Sequence, residues 1–162
     1  MSTSRLRPTA AEDALAITAL MKNLKEWFDL DVWDQVATDC ELCEGLAAMG
    51  DTGEMTGFVL WLREGDSCHI KWLGVVKELH RHGIGRRLIN GMVERVREHG
   101  VTRITVDTLA PTYEYEPLAR TRAFYEACGF RLDRIEPQRW QSPGGGEHAL
   151  PDKAVYVLDL YG

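Results

Sequence analysis

The segment from Ser67 to Gly100 constrains the chain more than any other. Cys68-His69-Ile70-Lys71-Trp72-Leu73-Gly74-Val75-Val76 alternates and is rich in strand-forming residues, which predicts a β-strand. A polar connection from Lys77 to His82 leads into Gly83-Ile84-Gly85-Arg86-Arg87-Leu88. From there Ile84, Leu88, Met92 and Val96 recur at four-residue spacing with Ile89 and Val93 beside them, the apolar stripe of a helix resting on a core. Gly100 follows Arg97 and His99 as a left-handed stop. Strand, glycine turn and helix in that order point to an α/β domain.

The glycines carry the chemistry. Gly83 and Gly85 let the backbone turn sharply and approach a ligand, while the first N–H groups of the new helix lack intrahelical partners. The positive end of the helix dipole, with Arg81, Arg86 and Arg87, suits an anion, and a diphosphate better than a lone carboxylate. A plain tight turn is the alternative. A dinucleotide fold would place a third glycine where Leu88 stands and would run its strand almost directly into the first glycine; only Asp107, ending the next strand-like segment, suits it. A nucleoside triphosphate loop would need Lys and Ser or Thr where Arg86 and Arg87 stand.

At these residues the chain resembles the GNAT superfamily of acyl-CoA-dependent N-acyltransferases. His80-Arg81-His82-Gly83-Ile84-Gly85 is similar to that family's signature, Arg or Gln, two residues, Gly, one residue, Gly or Ala, with His80 in the first place. Ala123-Phe124-Tyr125-Glu126-Ala127-Cys128-Gly129-Phe130 is similar to its second motif, with Leu118 where an Asn often stands. The resemblance implies a mixed central sheet of about seven strands with about four helices, splayed between strands 4 and 5. It implies acetyl-CoA as cofactor, held by Leu73, Val75, Arg81, His82, Gly83, Ile84, Gly85, Arg86 and Arg87, mostly through main-chain amides. The Val75 amide would polarise the thioester carbonyl, and Tyr125 would donate to the departing sulfur. Asp107 is the first candidate for the general base, with Glu26, Asp29, Glu114, Glu116, His69 and water also open.

The 162 residues, 44% hydrophobic and 27% charged, suit a single domain over 1–162. No apolar run reaches membrane-span length and no signal peptide opens the chain, so a cytoplasmic location is expected. Cys40, Cys43, Cys68 and Cys128 are scattered. The Cys40/Cys43 pair has no second pair or nearby histidines, so no metal site is expected. The net charge of −6 argues against a nucleic-acid partner.

Along the chain, a short strand at Leu6 is followed by a helix whose N-cap is predicted at Thr9, with Glu12 completing a capping box. The helix fades around Trp27 to Leu30, and a second runs from Asp34 to before Glu44. By resemblance these helices wall the acceptor site, with Trp27, Asp29 and Trp33 as candidate substrate contacts. From Glu26 to Glu54 there are nine carboxylates and no Lys or Arg, which would attract a cationic amine; a solvated helix face and turns read equally well. Strands at Gly45–Met49 and Glu54–Leu62 form a meander with the organising strand, in which Gly74 is the candidate bulge. Arg103–Thr108 is predicted parallel to it across the helix. Leu109–Leu118 reads as a functional loop, and Phe130–Ile135 and Ala154–Leu160 as the last strands around the glycine run 142–146.

These features predict an N-acetyltransferase acting on a small cationic amine by direct attack in a ternary complex. A protein or peptide amine and a catalytically silent CoA-binding module remain open, as does a homodimer.

Overall fold

The computed structural model describes residues 5–24, 33–109, 116–141 and 147–160. Its strands are β1 (Arg5–Pro8), β2 (Glu44–Met49), β3 (Met55–Glu64), β4 (Ser67–Val75), β5 (Arg103–Leu109), β6 (Arg131–Gln141) and β7 (Glu147–Asp159). Its helices are α1 (Ala14–Lys22), α2 (Trp33–Leu42), α3 (Ile84–Arg97) and α4 (Glu116–Ala127). The strands form one sheet in the order β1-β2-β3-β4-β5-β7-β6, in which only β4 and β5 run parallel. Mixed sheet, strand number and helix number match the expected α/β architecture.

The helices divide between the two faces because their apolar stripes do. Ile84, Leu88, Ile89, Met92 and Val96 of α3 are buried against Val59, Trp61, Ile70, Ile104 and Val106, and Tyr125 of α4 joins this core. On the other face Ile17, Leu20 and Met21 of α1 and Val36 of α2 cover Phe58 and Leu60.

Three local predictions are corrected. The first concerns the bulge. Leu60 pairs with Trp72 and Trp61 with Ile70, so the extra residue is Lys71, whereas Gly74 keeps a regular partner in Phe58. Gly74 is needed for close packing, since a Cβ there would lie 3.0 Å from the Phe58 ring and 3.2 Å from Leu20 and Leu24. The extra residue reverses the alternation. Cys68 and Ile70 face the α3 core, but beyond Lys71 it is Leu73 and Val75 that pack there, while Trp72 and Val76 join the α1/α2 core.

Second, the N-terminal box is shifted by one residue. Asp13, not Glu12, receives the main-chain N–H, from Ala10 at 2.8 Å, because the Arg7 guanidinium pins its carboxylate at 2.8 and 2.9 Å. Thr9 instead donates its N–H to Gly45 of β2. Third, β6 and β7 run well past their predicted limits to either side of the 142–146 connection. Pro137 falls at a register shift between Glu136 and Gln138 on the edge strand, where its missing N–H breaks no ladder bond.

Candidate active site

Two openings in the hydrogen-bonding pattern define the site. Pairing between β4 and β5 stops at Ile70 and Val106. The remainder of each strand, Lys71–Val75 and Asp107–Leu109, continues with β3 and β7 respectively, so the sheet splays between them. The Val76 N–H bonds to Thr56 of β3 at 2.9 Å. Main-chain groups alternate along a strand, so the Val75 amide points the other way, into the splay. The Val75 carbonyl on that side is taken by His80 Nε2 at 2.8 Å. The residue at the first place of the glycine signature thus ties the turn to the end of the strand.

The second opening is the turn itself. Arg81 and Gly83 both adopt left-handed backbone conformations, φ 70° and 83°, which Gly83 accommodates without strain. Arg87 N–H closes the first helical bond to Gly83. The N–H groups of Gly83, Ile84, Gly85 and Arg86 have no main-chain acceptor among the described residues. These amides at the positive end of a fourteen-residue helix form an anion cradle, with the exposed Arg81, His82 and Arg87 around it. The Arg86 side chain turns away and donates to the Ala127 carbonyl at the end of α4.

That bond joins the two sequence motifs in space. The Phe124 ring packs on Gly85 so closely that a Cβ there would lie 2.9 Å from it. Tyr125, next in the chain, is buried edge-on between Phe124 and Phe130. Its hydroxyl has no hydrogen-bond partner among the described residues, and burial raises its pKa well above the ordinary phenol value, so it stays protonated.

Asp107 is the first β5 residue beyond the last β4 partner. Its Oδ2 lies 3.5 Å from His69 Nε2 and 3.4 Å from Lys153 Nζ, and that ammonium also lies 3.2 Å from Glu136. His69 Nδ1 is 2.7 Å from the Thr105 hydroxyl. Burial lowers the His69 pKa, with Asp107 opposing and Lys71 and Lys153 reinforcing the shift, so the imidazole is held neutral. His69 was one base candidate among several in the sequence; only the strand register shows that it and Asp107 form a pair. Lys153, distant in sequence, carried no motif to reveal it.

The acidic stretch is partly structural. Buried Asp39 accepts from Trp72 at 2.7 Å and from Gln35 at 3.1 Å, and Glu44 accepts from Trp61 at 3.0 Å. Trp27 and Asp29 lie outside the described residues, as does Glu114. Trp33 opens α2. All four cysteines are free, and burial pushes the Cys43 thiol up to about 11. No group of three or more His, Cys, Asp or Glu able to hold a metal stands together among the described residues, and no described helix is long and apolar enough to cross a membrane.

A sheet splayed between parallel strands, beside a helix start whose first amides have no main-chain acceptor among the described residues, defines the class: an α/β protein with a turn suited to an anion next to an opening in its sheet. Residues 14–130 match the model of the acetyltransferase (GNAT) family, and the chain belongs to that family. GNAT acetyltransferases use acetyl-CoA. The probable N-acetyltransferase 14 of Danio rerio is 30% identical over 118 residues, 67% of this chain and 40% of that protein. The chain spans about half the length of the curated relatives it matches. Its fold is shared by the ribosomal-protein-S18-alanine N-acetyltransferase of Escherichia coli, with TM-score 0.74, 18% identity and coverage of 99% of this chain and 94% of that one. A Bacillus subtilis acetyltransferase in complex with CoA is also similar, with TM-score 0.64, 19% identity and coverage of 97% and 99%.

Proposed function

We propose that the protein transfers the acetyl group of acetyl-CoA to a small cationic amine by direct attack. The observation that carries this reading is the conjunction of unpaired Gly83–Arg86 amides with a buried, unpartnered Tyr125 hydroxyl beside an opened sheet. Both are polar groups whose natural partners belong to the same cofactor: the linked phosphates and the thioester sulfur. The amides of residues 83–86, with the side chains of Arg81, His82 and Arg87 around them, hold the diphosphate, and Leu73 and Val75 line the arm that enters the splay.

The incoming ammonium loses its proton to the His69–Asp107 pair, whose imidazole is neutral and therefore able to accept. The amine nitrogen then bonds to the thioester carbon and the Val75 N–H stabilises the oxyanion; collapse breaks the carbon–sulfur bond, and the second nitrogen-bound proton leaves to solvent, giving the amide and the thiolate. Tyr125 donates a hydrogen bond to the departing thiolate. With a pKa above that of a thiol, it stabilises the thiolate without surrendering its proton. For the acceptor, Asp107 and Glu136 already hold one primary ammonium, that of Lys153, so this face has the chemistry a cationic amine requires. Trp27, Asp29 and Trp33 remain the candidate acceptor contacts from the sequence.

The test is release of free thiol from acetyl-CoA across a panel of diamines, amino sugars and peptides with free α-amines, with Tyr125→Phe as control. Thiol release with small cationic amines, reduced by about 10²- to 10⁴-fold in Tyr125→Phe, is expected. Turnover only on peptides would move the acceptor class, and tight CoA binding without turnover on any amine would indicate a binding module. Separately, Gly83→Asp should weaken CoA about a hundredfold or more, by placing a carboxylate and a side chain at a left-handed position in the cradle.

A further inference from the structure

Most arginines with described side chains have a partner. Arg7 binds Asp13, Arg103 and Arg131 bind Asp159, Arg134 binds Asp133 and Glu136, Arg120 binds Glu116, and Arg86 and Arg97 donate to the carbonyls of Ala127 and Leu160. The side chains of Arg5, Arg63, Arg81, Arg87 and Arg95 form no hydrogen bond or ion pair among the described residues. Arg5 lies on the edge strand β1. The others fall in two places. Arg81 and Arg87 flank the anion cradle at the start of α3, whereas Arg63 and Arg95, with His99, line one cleft of about 260 Å³ at the opposite end of that helix. A fourteen-residue helix is about 21 Å long, so one small anion cannot serve both places.

The cleft is built where the end of β3 and the start of β2 pass under the last turn of α3. Trp61 and Val96, both buried, line its inner side, and Arg63, Arg95 and His99, all exposed, line its mouth. The acid in the lining, Glu44, has its Oε2 held by the Trp61 indole N–H at 3.0 Å. A helix C-terminus ordinarily repels anions through its free carbonyls. Here Val96 O accepts from the His99 and Val101 amides at 3.0 and 3.2 Å, Arg97 O from Gly100, and Arg95 O from the His99 ring. That leaves two unpaired guanidinium forks, which match carboxylate and phosphate oxygens in pairs, beside a buried aromatic wall.

We infer that this cleft is a second ligand site, separate from the acetyl-CoA site, that takes a small dianion of metabolite size through Arg63 and Arg95. Dicarboxylates and phosphate share that chemistry, and the test separates them. CoA-saturated protein is titrated by calorimetry with glutarate, with inorganic phosphate, and with glutaramide as the neutral isostere. Saturable binding of one or both dianions with a Kd of about 1 mM or tighter is expected, with no response to glutaramide; the tighter dianion identifies the ligand class. Arg63→Gln and Arg95→Gln should each weaken binding about tenfold and together abolish it, Arg95→Lys should retain part of it, and CoA affinity should be unchanged in all four variants.

The inference is overturned if neither dianion binds up to about 10 mM, if glutaramide binds equally, or if the double variant binds like the parent. Binding that occurs only in CoA-free protein would also overturn it, by placing the anion in the α3 turn.

Discussion

The two sides of the splay are stabilised differently. On one side, β3 is buried along most of its length, covered by α3 on one face and α1 on the other. On the other side, β5, β7 and β6 bury Ile104, Val106, Ala154 and Tyr156 with α3 and α4 while presenting a chain of charges: His69, Asp107, Lys153, Glu136, Arg134, Asp133, Arg131, Asp159 and Arg103 are linked in succession. Apolar contact stabilises in proportion to area, whereas exposed ion pairs are screened and contribute little to folding. The first half therefore fixes the geometry, and the second half is free to vary its charges toward a substrate.

The contrast can be broken by experiment. Leu88→Ala, in the core under α3, should cost about 2–5 kcal/mol in denaturant unfolding. Next comes Trp72→Phe, which leaves buried Asp39 without its indole donor; about 1–3 kcal/mol is expected by the same measurement. On the charged side the effects should appear in the pH dependence of kcat/KM. With His69 as the proposed proton acceptor, the rate should fall on the acid limb as its imidazole becomes protonated. Lys153 lowers the His69 pKa, so Lys153→Met should move that limb to higher pH. Asp107 raises it, so Asp107→Asn should move the limb to lower pH, whatever happens to the absolute rate. If both variants move the limb the same way, the pair is not the proton acceptor. The smallest effect is expected for Asp159→Asn, which should leave the unfolding midpoint at that of the parent although it removes partners from Arg103 and Arg131.

The same contrast explains what was legible in the sequence. The helical period from Ile84 to Val96 and the glycines at 83 and 85 are local features, and α3 and its turn stand where those residues predict. The β2–β3–β4 meander and the parallel β4–β5 pair followed from tight turns and from a helix connecting two strands. What escaped was decided by partners far apart in the chain. A bulge at Lys71 is fixed by the register with β3, and no residue type announces it; Gly74 drew attention because glycine is common in bulges, yet it is glycine here because α1 packs on it. Asp13 displaced Glu12 as the capping acid because Arg7, on β1, reaches it. The acidic run looked like one electrostatic wall, but Asp39 and Glu44 serve as acceptors for two tryptophans.

The extra residue at Lys71 has an evolutionary corollary. A strand reads as a two-beat rhythm, and inserting one beat exchanges inside for outside from there onward. Deleting Lys71 would join Ile70 directly to Trp72 and leave Trp72 on the α1 side and Leu73 and Val75 on the α3 side, so both cores should tolerate the loss of this one solvent-facing lysine, and only the local bend of the strand should go with it. Pairing of β4 with β5 ends at Ile70, the residue before this extra beat, so a deletion library would probe the opening of the sheet separately from the packing of its two faces.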